Sequence, residues 1–265
     1  MLFSIITVNK DNLDGLKNTF SSLISQSFSA WEWIVIDGAS TDGASDWLAS
    51  LDDKRITWLS ETDGGIYPAM NKGIDLAAGD YLHFLNSGDY FSDNLVLEHL
   101  SCRLRERSSQ PLFIYGDTLE YLPSGDMHYK KARNYKGVQT GMFASHQSML
   151  FNTSLFSNGL HYNEKWKLSA DYALICSVVN MLAEGDVLYV DFPISKFLIG
   201  GRHYSGRLQG IWEGSKIQKE LLNTPFMTRI VLFASQLVWH FIKLLFPWNF
   251  HLFFRKILFK KTLTQ

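Results

Sequence analysis

The chain has 265 residues, 46% of them apolar and 19% charged, with a formal net charge of −1. At roughly 100–200 residues per domain this allows one large domain or one domain with an appendage, and a core that needs no metal or disulfide staple. The balanced charge excludes a generally basic nucleic-acid binder and the apolar content excludes a disordered chain. Cys102 and Cys176 lie far apart without CxxC spacing, which makes neither a disulfide framework nor a zinc site and suits a reducing cytoplasm. Met1 runs straight into an apolar stretch with no basic leader or small-residue cleavage site, so no signal peptide is expected.

Phe3 to Val8 is a short apolar, β-branched run, the mark of a buried parallel strand. Asn9 to Asn12 are polar and suited to cap a helix, in which Leu13, Leu16, Phe20, Leu23 and Ile24 recur at spacings of three and four. Trp33 to Ile36 reads as a second strand, ending in the turn Asp37-Gly38-Ala39-Ser40-Thr41-Asp42-Gly43. A helix over Ala44–Leu51, a strand over Ile56–Ser60, a helix over Pro68–Ala78 and a strand over Tyr81–Leu85 follow. Alternation at this rhythm predicts an α/β fold, a parallel sheet covered by helices on both faces, with ligands bound beyond the carboxyl ends of the strands.

Three polar clusters lie at those ends: Asn9–Asp11, Asp37–Asp42, and Asn86-Ser87-Gly88-Asp89. No GxGxxG follows the first strand and no GxxxxGK[ST] occurs anywhere, so the usual glycine-rich anion cradles are missing. A nucleotide bound here needs another source of positive charge, which a divalent metal on a strand-end carboxylate supplies.

Four segments, in order, resemble the family 2 glycosyltransferases of GT-A fold: Ile5–Val8, Trp33–Gly43, Asp63-Gly64-Gly65-Ile66-Tyr67-Pro68-Ala69-Met70-Asn71-Lys72-Gly73, and Phe84–Asp89. The likeness covers roughly residues 1–200 and is closest to the bacterial branch that builds exopolysaccharide, O-antigen and colanic acid. It implies a Rossmann-like mixed sheet flanked by helices, and inverting, metal-dependent transfer of a hexose from a nucleotide-diphosphate sugar, with Mn²⁺ or Mg²⁺. Carried over by position, Thr7, Asn9 and Asp37 become nucleotide-recognition elements. Asp63, Asn71 and Lys72 belong to a donor-cradling loop and helix, with Lys72 toward the diphosphate. Asn86 and Ser87 face the donor, and Asp89 holds the metal. The common string Leu-Asp-Ser-Asp-Asp is here Leu85-Asn86-Ser87-Gly88-Asp89, which keeps one carboxylate of three. One can suffice, because Mg²⁺ fills most of its shell with water and phosphate oxygens.

Single-displacement transfer needs a carboxylate base to deprotonate the acceptor hydroxyl. Asp171, in Ser169-Ala170-Asp171-Tyr172, resembles the family's acidic motif at a helix start, where the dipole favours the ionised form. His146-Gln147 ahead of an apolar strand, Asp117 after Phe113-Ile114-Tyr115, and Arg202-His203 after Gly200-Gly201 are expected to line the acceptor or donor-sugar pocket.

The near-zero net charge hides a division near residue 200. Residues 200–265 carry ten Lys/Arg and two acids, a net of +8, against −9 for the remainder, and no acid follows Glu220. Residues 226–259 hold ten Phe and Trp. On a helix, Arg229, Gln236, His240 and Lys243 fall within about 60° of one another. This predicts a helical, basic-aromatic segment over 201–265, broken at Pro247, that lies on a membrane surface or packs on protein, with its basic end Arg255-Lys256 and Lys260-Lys261 near anionic lipid. The expectation is therefore a glycosyltransferase domain over 1–200, peripheral on the cytoplasmic face of the inner membrane, acting on a lipid-linked glycan acceptor in surface-polysaccharide synthesis and binding no nucleic acid. The alternatives are a nucleotidyltransferase and a catalytically inactive protein that binds nucleotide sugar or membrane.

Overall fold

β1 (Phe3–Asn9) is buried at every position, as a strand covered on both faces must be. In this computed structural model, which describes residues 1–121, 125–198 and 206–245, it pairs with a parallel strand on each side. α1 (Leu13–Ile24) follows, with Asn12 as its N-cap accepting from the Gly15 amide. β2 (Trp31–Asp37), α2 (Ala44–Ala49), β3 (Ile56–Ser60), α3 (Ile66–Leu76) and β4 (Tyr81–Phe84) continue the alternation. The four strands pair in parallel in the order β3-β2-β1-β4, so their carboxyl ends share one edge.

The rest of the sheet departs from the all-parallel reading. β5 (Tyr90–Phe91), α4 (Val96–Arg105), β6 (Phe113–Tyr121), β7 (Met127–Lys130), β8 (Met149–Asn152), α5 (Ala170–Met181) and β9 (Val187–Leu198) complete it. The order beyond β4 is β8-β6-β9-β5, with β7 on β6. β8 runs antiparallel to both β4 and β6, whereas β9 is parallel to β6. β7 and β8 both run antiparallel to β6, so the chain reverses between β6 and β7, and β8 is entered through the short 3₁₀ turn His146–Ser148. Its first residues therefore lie beside the carboxyl end of β4. The mixed sheet agrees with the architecture that the family resemblance implies.

The core sits on both faces of this sheet. Trp33 stacks on Phe20 at 4.9 Å and meets Trp47 edge-on at 6.3 Å. On α3, a Cβ at Gly73 would come within 2.4 Å of Ile6 Cγ2, so only glycine lets this helix lie so close to β1. The chain divides into two compact units, Met1–Gly201 and Arg202–Gln265. The second contains α6 (Arg207–Glu220) and α7 (Phe226–Leu245). Pro247 and the basic residues beyond it lie outside the described residues, as do Arg202 and His203.

Candidate active site

The loops leaving β1, β2 and β4 are stitched together at the carboxyl edge. Lys10 Nζ donates to the carbonyls of Gly38 (2.7 Å) and Ala39 (2.8 Å), Asp11 accepts from Thr41 N (2.8 Å), and Leu13 N donates to Asp42 (2.7 Å). Asn12 Nδ2 donates to Ser87 Oγ (3.0 Å), and the Ser87 hydroxyl returns a bond to the Asn12 carbonyl (3.1 Å). Three segments far apart in sequence thus form one rigid rim.

Asp37 is fully buried at the centre of this rim. Its carboxylate accepts from Asn9 Nδ2 (2.8 Å), Ser40 N (2.9 Å), Ser40 Oγ and Ser60 Oγ (2.6 Å). Burial alone would raise its pKa, but the Ser40 and Ser60 hydroxyls, the Ser40 amide and Asn9 outweigh burial and hold the carboxyl below the ordinary range. With four donors on two oxygens, Asp37 has no lone pair turned to a ligand. In this arrangement Asp37 braces the rim. Thr7 is fully buried, and its hydroxyl accepts from Trp33 Nε1 (2.8 Å) and donates to the Leu85 carbonyl (2.7 Å), tying β2, β1 and the end of β4. Asn9 keeps its Oδ1 buried and without a partner.

Asp89 is the opposite case. The segment Asn86–Asp89 turns sharply at Gly88, whose φ of +94° suits glycine, so the residue that breaks the usual acidic string also makes the turn. The Asp89 carboxyl receives Gln147 Nε2 at 3.3 Å, a long bond, and among the described residues makes no ion pair. Burial pushes its pKa up to about 7, against smaller opposing contributions from Gln147 and the Asn86 backbone. Asn86 Oδ1 is also buried without a partner. Gln147 reaches this carboxylate because β8 starts at the carboxyl end of β4. Neighbouring His146 lies close enough to help lower the pKa of His83 to about 4, after the larger effect of burial.

A desolvated carboxylate with no positive partner fits a divalent cation. Among the described residues, no group of three or more His, Cys, Asp or Glu surrounds such an ion. A cation here would take Asp89 and draw its remaining ligands from phosphate and water.

α3 supplies the opposite wall. Asp63 accepts from Gly65 N (3.1 Å), and its Oδ2 lies 3.3 Å from where a Cβ on Gly38 would stand, which brings the α3 loop against the β2 turn. Asn71 clamps backbone: Nδ2 donates to the Tyr162 carbonyl (3.0 Å) and Oδ1 accepts from Tyr162 N (2.8 Å). Tyr162 stacks on Tyr67 of α3 at 5.4 Å. Its phenol is pushed well up, by burial first and then by the nearby Asp171 carboxylate. The clamp thus brings the first turn of α5, with Asp171 in it, toward α3. Asp171 accepts from Tyr172 N (2.8 Å) and is half-buried.

Two further residues make contacts that the sequence does not announce. Lys72 pairs with Glu61 at 2.6 Å. Asp117 is 2% exposed and accepts from Ala132 N (2.8 Å), Tyr189 OH (2.9 Å) and Tyr129 OH. Those partners come from β7, β9 and the loop after β7, and no local signal around Asp117 announces them. Sequence reading also missed Ser60, which seals Asp37, and Lys10, the cation at the rim. Both stand at strand ends, which is the one signal that could have found them.

A mixed α/β sheet whose polar groups gather at the carboxyl ends of β1, β2 and β4 has the layout of a ligand-binding α/β protein. The profile described as Glycosyl transferase family 2 matches residues 4–159. An uncharacterized glycosyltransferase of Mycobacterium tuberculosis is 33% identical over 189 residues, covering 67% of this chain and 71% of its own. The chain belongs to glycosyl transferase family 2. The putative teichuronic acid biosynthesis glycosyltransferase TuaG of Bacillus subtilis is 35% identical over 111 residues, 40% of this chain and 43% of TuaG. In fold, the chain matches the mannosyltransferase PcManGT of Pyrobaculum calidifontis, solved with GDP-Man and Mn²⁺, at a TM-score of 0.62 and 11% identity over 88% of this chain and 68% of that one.

Proposed function

We propose that the protein transfers a hexose from a nucleotide-diphosphate sugar, with inversion, to a lipid-linked glycan acceptor in bacterial surface-polysaccharide synthesis at the cytoplasmic face of the inner membrane. Family membership supports the transfer, and the similarity to a putative teichuronic acid biosynthesis glycosyltransferase supports the setting in surface-polysaccharide synthesis. The observation that carries the site assignment is the desolvated, cation-free carboxylate of Asp89 at the end of β4, bonded to Gln147.

In this reading the donor lies over the rim, against Asn86, Ser87 and the Asp63 loop. Asp37, Thr7 and Asn9 hold that rim in place from beneath. Asp89 would hold Mn²⁺ or Mg²⁺, which would supply neutralisation of charge on the departing diphosphate. Asp171 takes the proton from the acceptor hydroxyl while the acceptor oxygen bonds to the anomeric carbon. The bond from that carbon to the diphosphate oxygen breaks, and its electron pair leaves with the nucleoside diphosphate. Arg202 and His203 follow the domain and are assigned to the pocket on sequence position alone, and His146 flanks Gln147 at its wall.

Asp171→Asn tests the base. It is expected to lower turnover about 10³-fold, roughly 4 kcal/mol, with donor binding unchanged in calorimetry. Full turnover in Asp171→Asn would remove the assignment. Donor binding with no transfer by the wild type to any glycan acceptor would favour the inactive-binder alternative, which the thinned metal motif suggests.

A further inference from the structure

α7 carries its apolar side outward. Phe226, Met227, Ile230, Val231, Val238 and Phe241 are all exposed, between 45% and 69%. At 3.6 residues per turn these six fall within an arc of about 140°. Arg229, Gln236 and His240 fall on the other side and are half-buried. A helix that belongs only to a globular core shows the reverse polarity. A continuous patch of large apolar side chains marks a surface made to be covered.

Charge selects what covers it. From Leu221 to the end of the chain there is no Asp or Glu, while Arg229, Lys243, Arg255, Lys256, Lys260 and Lys261 are basic. A second copy would bring the same net positive charge. An anionic lipid surface complements it, each Lys or Arg contributing about 1 kcal/mol near the headgroups. α6 has a stripe of the same character. Leu208 and Trp212 are each 52% exposed, Lys216 Nζ sits 3.5 Å from the Trp212 ring centroid, and Lys219 shares that side of the helix. Apolar bodies flanked by ammonium groups are what the boundary between headgroup and acyl chain accepts. Among the described residues no helix is long and apolar enough to cross a membrane, so the geometry is that of a helix lying in the interface.

We infer that the outward side of α7, assisted by the Leu208–Trp212–Lys216 stripe of α6, seats this protein on an anionic bilayer surface. This deepens the membrane-side reading of the function and uses none of the donor-site residues. Its failure is therefore distinguishable from failure of the transfer reading.

The test is flotation of the full chain with vesicles of phosphatidylcholine mixed with phosphatidylglycerol, and with phosphatidylcholine alone. The wild type is expected to float with the anionic vesicles only, and less so as salt is raised. Val231→Asp and Phe241→Glu, both at exposed positions, are expected to weaken that binding by at least about tenfold, equivalent to about 1.4 kcal/mol. Thermal stabilisation by nucleoside diphosphate should stay at the wild-type value in both. Trp212→Ala should weaken vesicle binding by a smaller factor. Equal binding to neutral vesicles, or no binding to either, would overturn the inference. So would a dimer in light scattering that the same two variants dissolve without any lipid binding by the wild type.

Discussion

Two carboxylates stand at strand ends on the same edge of the sheet, one on each side of β1, and behave in opposite ways. Asp37, after β2, has every lone pair engaged by Asn9, Ser40 and Ser60 and is held ionised. Asp89, after β4, has one long bond from Gln147 and is pushed up to about 7. Burial is the largest single influence on both; the number of donors decides the outcome. The lesson is that a saturated acid braces a site while an unsaturated one is available to a ligand. Both look alike in sequence, as an Asp after an apolar run.

The largest expected effect falls on the saturated end. Asp37→Ala leaves the Asn9 amide and the Ser40 and Ser60 hydroxyls without their acceptor, and should cost about 3–5 kcal/mol in urea unfolding. A loss under about 1 kcal/mol would mean that the rim does not depend on this carboxylate.

Asp89 should respond to pH with the opposite sign. Its folded pKa lies above its unfolded value near 3.8, so its contribution to stability is fully present below about pH 4 and is lost as pH rises through about 7. The full swing is up to about 4 kcal/mol. Asp89→Asn should flatten this dependence, making the variant more stable than the wild type at pH 8 while transfer falls by roughly two orders of magnitude. For Asp37 the folded pKa is lowered, so its contribution is present above pH 4 and is lost only as pH falls below that range. Equal pH slopes in chemical denaturation of Asp89→Asn and wild type would erase the contrast between the two ends.

Smaller effects sharpen the boundary of the braced region. Thr7→Val keeps the shape but leaves Trp33 Nε1 without its acceptor, and should cost about 1–3 kcal/mol. Lys72→Ala removes a partly exposed ion pair with Glu61 and should change stability by less than about 1 kcal/mol, with KM for donor unmoved. A large rise in KM would return Lys72 to the diphosphate.

What was legible in the sequence follows from how local each determinant is. The strands and helices of the first hundred residues are set by apolar periodicity and by caps such as Asn12, so α1 and β3 appear with the bounds expected. α3 starts two residues before Pro68, because a proline in the first turn loses no intrahelical bond. The direction of β8 was not legible, since it is set by pairing with β4 and β6, strands distant in the sequence. The roles of Asp37, Asp117 and Lys72 depend on partners 23, 72 and 11 residues away at their decisive contacts. Spacing and residue type find such acids and bases but do not tell how many donors surround them. Family motifs carry the same limit, since they mark positions without counting bonds.

The most direct measurement is thermal stabilisation of the wild type by nucleoside diphosphates with Mn²⁺ at pH 6 and pH 8, beside Asp89→Asn. The prediction is metal-dependent stabilisation that is larger at pH 8, because the carboxyl must lose its proton to bind a cation, and that vanishes in Asp89→Asn. Stabilisation by Mn²⁺ and nucleotide that is undiminished in Asp89→Asn, or indifferent to pH across this range, would contradict the account.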